Sequence, residues 1–499
     1  VSRADFPAAK SNIVVYVIGD YMTDVYQSVK ATKIAPDAPA PVWAMDGEPI
    51  TVPGGAGNVA RQFTHLSKDV SLVTLGEPSR GTTGLRFLSR VGETWRYPVK
   101  SRLVQGGHVL ARLDDNGDRG TNPLREALAL AALDAMRYDL RSRNVVAGRT
   151  ADNRRVVFVA SDYAGGFWSP SVAKCVTATA GEFGVPLVVD AKPRGLSLEA
   201  WAGATVVKLN TTEAAEFTRE FDLPEAAVRA CADRVGCPVV ATQSGRRPIF
   251  CRPGDEPFFA GTDHTTTRPV WASGAGDCFA AYLAASVAAG EREPGWLLSA
   301  CGAAHAAGAV YVTKRHNCPV HPREAMERAG DREAKLYRSP CELTGRLAAI
   351  DGGARIGLTN GCFDLLHAGH IESLRFAKSQ CDFLAVFLNS DSSYHSLRGE
   401  NPVLWWSERA AALAALEFVD AVVQFNELDP SRAFGDALGG RIADVLVKGE
   451  EYRGKEVKGN DFARKVAFAP ETFRVHTSEI VRRIKNRGEK RTTEPGESQ

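Results

Sequence analysis

The sequence predicts an α/β protein of two domains, each a parallel sheet flanked by helices, and three observations carry that expectation. Short β-branched runs alternate with longer Ala-, Leu- and Glu-rich helical patterns along most of the chain. The alternation stops once, in the charged and irregular stretch 329–353, and then restarts. On each side of that break one strand runs through a glycine-bearing turn into a helix, an arrangement that turns backbone N–H groups toward a phosphate. At 499 residues the chain is also too long for one ordinary hydrophobic core.

In the first domain the predicted strands are 13–18, 156–160, 186–190, 205–209 and 239–242. Short Val- and Ile-rich runs of this kind read as strands buried on both faces. Gly, Asp or Asn turns follow them, and helical patterns such as 125–137 and 224–234 supply right-handed crossovers between parallel neighbours. The most apolar stretch, 297–312, is too short to span a bilayer and contains His305, so it reads as a buried helix. After the break the predicted strands are 355–359, 383–388, 421–425 and 445–447. The expected organisation is therefore a first domain over 1–328, a linker over 329–353, a second domain over 354–486 and a polar, disordered tail over 487–499.

Composition narrows the function classes. The 61 basic and 59 acidic side chains leave a net charge of +2 and are interleaved, so no field of the whole molecule would gather nucleic acid or an anionic membrane. Phosphate recognition must then be local. The ten cysteines show no C-x-x-C pair and no zinc-like His spacing, and no secretory apolar segment opens the chain. A reducing cytoplasm and small-molecule partners are the expectation.

Ser273-Gly274-Ala275-Gly276-Asp277 leads directly into an apolar helical run. Small residues there let N–H groups approach an anion, and the Asp277 carboxylate can take the proton of an attacking hydroxyl. In isolation, a Gly-rich turn capped by an aspartate would look the same. Three further segments stand in order with it: Val17-Ile18-Gly19-Asp20 with Asp24, Pro53-Gly54-Gly55-Ala56-Gly57-Asn58, and Lys208-Leu209-Asn210-Thr211-Thr212-Glu213. Together they resemble the ribokinase-like carbohydrate kinases over roughly residues 10–325, an αβα sandwich fold. Within that family the run 33–41 and Ser161-Asp162-Tyr163 look most like the heptose 7-phosphate kinases.

The resemblance implies a role for each segment. Asp24, Gly54, Gly55 and Asn58 would contact the sugar, while Arg102 and Arg112, with Lys100, would hold its phosphate. Asn210, Thr211, Thr212 and Glu213 would meet ATP and magnesium, Ser244 and Gly245 would pass under the nucleotide, and Gly274, Ala275 and Gly276 would cradle the transferring group, with Asp277 as base. It also implies a homodimer through the kinase domain. Trp271 stands where an Asp is usual and cannot ligate a monovalent cation, so Mg²⁺ arriving with ATP is expected, with little response to potassium and no metal cage made by the protein itself.

In the second domain, Thr359-Asn360-Gly361-Cys362-Phe363-Asp364-Leu365-Leu366-His367-Ala368-Gly369-His370 joins a predicted strand to a helix. Two imidazoles three apart at a helix start can both donate to a nucleotide's phosphates; as zinc ligands they lack a third partner at any recognisable spacing. The motif resembles the cytidylyltransferase-like nucleotidyltransferases, a Rossmann-like HxGH fold, over about residues 353–485. That resemblance extends the site to Lys378, Asn389, Asp391, Arg409, Lys448, Thr477 and Ser478, and implies in-line attack of a sugar phosphate oxygen on the nucleotide α-phosphate. The chain departs from the pattern at Asn401, where an Arg precedes Pro, at Glu450 after Lys448-Gly449, where a negative charge would lie close to the phosphate, and at Glu479.

The fused order resembles the bifunctional heptose kinase/adenylyltransferases of ADP-heptose synthesis. What this implies is phosphorylation of heptose 7-phosphate at C1 and, after a separate phosphatase, transfer of AMP from ATP to heptose 1-phosphate. Another sugar phosphate, CMP transfer from CTP, or one domain reduced to a binding module remain alternatives for the same architecture.

Overall fold

The computed structural model describes residues 12–75, 85–88, 96–106, 108–117, 123–193, 195–260, 272–289, 296–314, 316–330, 332–348, 350, 353–470 and 480–483. Trp271, Thr477, Ser478, Glu479 and the tail 487–499 lie outside them. The chain divides into two compact units, Val1–Asp331 and Arg332–Gln499.

The first unit is built on a nine-stranded sheet in the order Phe258–Phe259, Arg246–Cys251, Val239–Gln243, Val206–Asn210, Leu187–Asp190, Arg155–Ser161, Ile13–Gly19, Asp69–Val73, Arg86–Phe87. All pairs from Val239–Gln243 to Arg86–Phe87 are parallel. Every residue of Ile13–Gly19 is buried because both faces are covered. Val14, Tyr16 and Ile18 share one core with helices Pro123–Ser142, Pro170–Phe183 and Pro224–Val235. Helices Ala275–Ala289 and Ala56–Gln62 pack on the other face. Helix ends follow their local chemistry: Ser169 caps Pro170–Phe183 through the Val172 N–H, and Gly184 closes it at φ 64°. This is the αβα sandwich the sequence implies.

A second, five-stranded sheet was not legible in the strand pattern. Tyr21–Ile34 pairs with Pro41–Met45, Ile50–Gly55 and Val99–Gln105, and the last pairs with His108–Asp115. Beyond its root it is exposed, with all eight residues of His108–Asp115 open to solvent.

The second unit is a six-stranded, all-parallel sheet in the order Leu336–Tyr337, Ala421–Phe425, Phe383–Asn389, Ile356–Gly361, Val445–Gly449, Val466–Ala469. From Ile356–Gly361 the chain first builds one side of the sheet and then crosses to the other, so a crevice opens beyond the carboxyl ends of Ile356–Gly361 and Val445–Gly449.

The stretch 329–353 is not a bare linker. Residues Leu336–Tyr337 form the edge strand of the second sheet, and Pro340–Ala348 is a helix with Leu343 and Leu347 in that unit's core. Leu343 and Leu347, four apart, place one apolar stripe on a helix whose other positions are charged or small, which is why the segment read as irregular. A fragment of residues 332–499 should therefore fold, whereas one starting at 354 loses buried Tyr337, Leu343 and Leu347. Burial of three such side chains is worth on the order of 5 kcal/mol, comparable to a whole domain's stability. Urea melts of the two fragments check this, and equal midpoints would show that 332–353 adds nothing.

Candidate active sites

In the first unit the side chains expected to act on the sugar and the phosphate gather at the carboxyl ends of the parallel strands. Asp277, in the first turn of Ala275–Ala289, is 2% exposed. Asn58 Nδ2 donates to its Oδ2 at 2.7 Å and the Tyr163 hydroxyl to its Oδ1 at 2.5 Å. Tyr163 lies between two ammonium groups, Lys100 at 5.1 Å and Lys192 at 5.3 Å from its ring centre. Burial pushes the Asp277 carboxyl up to about 6, against the downward pull of the Tyr163 and Asn58 hydrogen bonds and Lys208. A carboxylate so placed is ionised at neutral pH yet basic enough to accept a hydroxyl proton.

Asp24, where Tyr21–Ile34 leaves the core, receives Arg102 Nη1 at 2.6 Å and Asn317 Nδ2 at 3.1 Å. A Cβ on Gly54 would lie 2.5 Å from Asp24 Oδ2, so only glycine leaves that carboxylate its place. Gly55 sits at φ 57°, and Gly274 at φ 91° with the Tyr311 hydroxyl against it. Arg102 Nη2 reaches Ser273 Oγ at 3.2 Å, tying the second sheet to the turn ahead of Asp277. Arg112 stands opposite Arg102 in the register and thus on the same face, but it is exposed and held by Asp114 at 2.6 Å.

Beside this cluster is a cavity of about 620 Å³ lined by Asn210, Thr211, Thr212, Ser244, Gly245, Ala275 and Gly276, all read from the sequence as site residues, and by Thr242, Phe279, His305, Ala309 and Val312, which were not. These last four lie in helical runs whose apolar character signals only burial. Glu213 does not line the cavity. It closes the capping box of Thr211–Thr218 with Asn210 and pairs with Lys192 at 2.6 Å. A smaller cavity of about 190 Å³, bordered by Gly148, Arg149 and Arg155, lies at the opposite ends of the strands.

The Asp277 shift sets a pH dependence. With Asp277 as the base that the resemblance to the sugar kinases implies, initial rates of phosphoryl transfer should fall on the acid side with a midpoint near 6, because only the ionised carboxylate accepts the proton. The sign for stability is opposite. A carboxyl raised in the folded state favours folding below its unfolded value and loses that contribution as pH rises through about 6, so this group does not unfold the protein in acid. Rates that stay level from about pH 7 to about pH 5 would remove Asp277 as the titrating base.

In the second unit, His367 is the N-cap residue of Ala368–Ser379 and His370 lies in its first turn, with the rings stacked at 3.8 Å between centres. Phe363 packs on His370 at 5.2 Å. Phe363 and Leu365 both hold positive φ, 47° and 49°, a strained loop that presents the histidines. Its anchors are explicit. Asp364 accepts the Val403 and Leu404 N–H groups and the Tyr394 hydroxyl, and the buried Arg409 guanidinium donates to Leu404 O, Cys362 O and Asp391 Oδ1. Arg409 and Asp391 thus shape the loop, joined by an ion pair at 2.7 Å.

Across the crevice, Lys448 Nζ donates to Asn360 Oδ1 at 2.9 Å, and burial lowers its pKa. Thr359 and Gly361 belong to the same strand end as Asn360, and Asn389 donates to Ser393 Oγ at 2.6 Å at the end of the next strand. Lys378 is not part of this site. It lies at the far end of Ala368–Ser379, about 16 Å along the helix axis from His367, where it pairs with Asp420 at 2.5 Å and donates to Asp382 O. Glu450 turns outward to Arg453, and the carboxylate against Gly449 is that of Glu451.

The comparisons agree with this division. The pfkB family carbohydrate kinase model matches residues 153–322 and the cytidylyltransferase-like model residues 358–486. The Bifunctional protein HldE of Caulobacter sp. (strain K31) is 35% identical over 483 residues, with 92% of each chain covered. That of Vibrio vulnificus (strain YJ016) is 32% identical, with 90% of this chain and 91% of the relative covered. A pfkB-type carbohydrate kinase joined to a cytidylyltransferase-like nucleotidyltransferase, in the same order and over nearly the whole length, places this chain in the family of the bifunctional HldE proteins.

Proposed function

We propose that the chain catalyses two steps of ADP-heptose synthesis: ATP-dependent phosphorylation of heptose 7-phosphate at C1 and, after a separate phosphatase, transfer of AMP from ATP to heptose 1-phosphate with release of pyrophosphate. The observation that carries it is the Asp277 constellation beside a nucleotide-sized cavity, joined in one chain to the stacked His367–His370 pair. In the first step the C1 hydroxyl gives its proton to Asp277, its oxygen bonds the γ-phosphorus, and ADP leaves with the electron pair. Lys100, Arg102 and Arg112 share one face of the second sheet by register, a basic surface suited to the sugar's own phosphate. Magnesium, when bound with ATP, would supply charge neutralisation at the phosphates; Glu213, expected to meet it, is engaged by Lys192 and the Asn210 N–H outside the cavity lining, so no protein carboxylate is assigned to the ion.

In the second step the sugar 1-phosphate oxygen attacks the α-phosphorus in line, while His367, His370 and Lys448 donate to the phosphates. A homodimer through the kinase unit is part of the reading, supported by exposed Ile34, Met45, Ile50, Val109, Leu110 and Leu113 on the second sheet. The ten free cysteines support a cytoplasmic setting. The test is to incubate the pure protein with ATP or CTP and each heptose phosphate and to follow products by mass spectrometry. ADP-heptose from ATP supports the reading, whereas CDP-sugar or no sugar bisphosphate would replace it.

A further inference from the structure

We propose that Lys208 is a catalytic residue of the kinase unit, its ammonium meeting the transferring γ-phosphoryl group under the first turn of helix Ala275–Ala289. The proposal rests on the kinase reading of that unit and adds a residue to it.

Strand Val206–Asn210 alternates its faces: Val207 and Leu209 enter the core shared with Pro224–Val235, so Lys208 points to the face covered by Ala275–Ala289. A lysine at a core position of a central parallel strand is anomalous, since an ammonium is costly to bury unless it is paired or used. Lys208 is 2% exposed. Among the described residues its one hydrogen-bond acceptor is Asp190 Oδ2 at 3.1 Å, and Asp190 is shared with Lys192 at 3.4 Å. An ammonium has three N–H donors, so two remain.

The direction of those donors is fixed by Gly276. A Cβ built there would lie 2.7 Å from Lys208 Nζ, so the ammonium rests directly against the backbone of the turn whose free N–H groups form the anion site. Gly276 and Asn210 also line the 620 Å³ cavity, and Asp277 is the next residue. A transferring phosphoryl group between cavity and base therefore passes the ammonium. During transfer the sugar proton moves to Asp277, the new O–P bond forms and the β–γ bridge oxygen leaves with its electron pair on ADP. Lys208 keeps its protons and balances the charge of the phosphoryl oxygens. The glycine at 276 thus has a reason beyond backbone freedom: a side chain there would press on the ammonium and force it to shift.

The experiment measures sugar phosphorylation by the full chain. Lys208→Ala should lower kcat by about 100-fold with the KM for ATP changed by no more than about threefold, and added ammonium chloride should restore at least about tenfold, with sodium chloride at matched ionic strength inert. Lys208→Gln, which keeps a donor to Asp190 without the charge, should lose turnover equally and fold normally by circular dichroism. A folded Lys208→Gln with kcat within a few-fold of wild type would overturn the proposal, as would a loss in Lys208→Ala that ammonium does not touch. Absence of sugar phosphorylation by the wild-type chain would instead remove the kinase reading itself.

Discussion

Asp277→Asn should reduce sugar phosphorylation by roughly 10²–10⁴-fold, the contribution of a positioned general base, while ATP affinity stays within a few-fold of wild type. The amide keeps the shape of the carboxylate, and the Tyr163 hydroxyl can still donate to its oxygen. What it loses is the capacity to take the hydroxyl proton as the O–P bond forms. The cavity lining is otherwise untouched, because Asn210, Thr211, Thr212, Ser244 and Gly245 come from other elements. The acid limb near 6 should vanish with the carboxylate, leaving a slow, pH-independent rate. A coupled assay for kcat and calorimetry for ATP binding separate the two quantities. Turnover within a few-fold of wild type would mean that another group takes the proton.

How much of this could be read from residues alone varies with the physics of each element. The central strands were legible because a strand covered on both faces must be apolar along its buried run, as 13–18 and 383–388 are. The five-stranded sheet was not, because the second half of Tyr21–Ile34 and all of His108–Asp115 are largely solvated and the two strands mix Lys, Arg, Thr and Asp with apolar residues. Its register nevertheless places Lys100, Arg102 and Arg112 on one face, a proximity that spacing within each strand does not express. Turn motifs at helix starts were read well, since Gly274 to Asp277 and His367 to His370 are local in sequence. Lys378 shows the opposite case. A residue on the same helix as His367 but eleven positions later is carried to the other end of the sheet by the 1.5 Å rise, where Asp420 receives it.

Charges were similarly easy to see and hard to place. Glu450 follows Lys448-Gly449 in sequence, yet the short 3₁₀ turn Glu450–Tyr452 sends its carboxylate outward to Arg453 and brings Glu451 back against Gly449. Arg409 was expected at the nucleotide, and three of its five N–H donors go to Leu404 O, Cys362 O and Asp391 Oδ1 around the strained loop. Its effect on the nucleotide then passes through the positions of Cys362 and Phe363. Lys208, in the run Val206-Val207-Lys208-Leu209-Asn210, reads as one polar interruption of a strand; only the packing of Gly276 on its ammonium gives it a role.

His370→Ala should lower nucleotidyl transfer by about 10²–10³-fold, the loss seen when one preorganised donor to a developing charge is removed, and should leave sugar phosphorylation unchanged. His367→Ala should act in the same direction. The two imidazoles stack at 3.8 Å at the start of one helix, so each fixes the orientation of the other, and the double variant should lose less than the product of the single losses. Phe363 packs on His370, and the strained backbone around it is held by hydrogen bonds from Val403 and Leu404 to Asp364 and from Arg409 to Cys362 O. The fold of the loop should therefore survive either substitution, and thermal melts should stay within a few degrees of wild type. Independence of the kinase step follows from construction: Asn58, Tyr163, Asp277 and the nucleotide cavity all belong to the unit ending at Asp331, which has its own sheet and core. Assaying both half-reactions on the same His370→Ala preparation decides the matter. Loss of both activities in a protein that melts normally would mean that the two steps share a site, and the division of labour between the units would have to be abandoned.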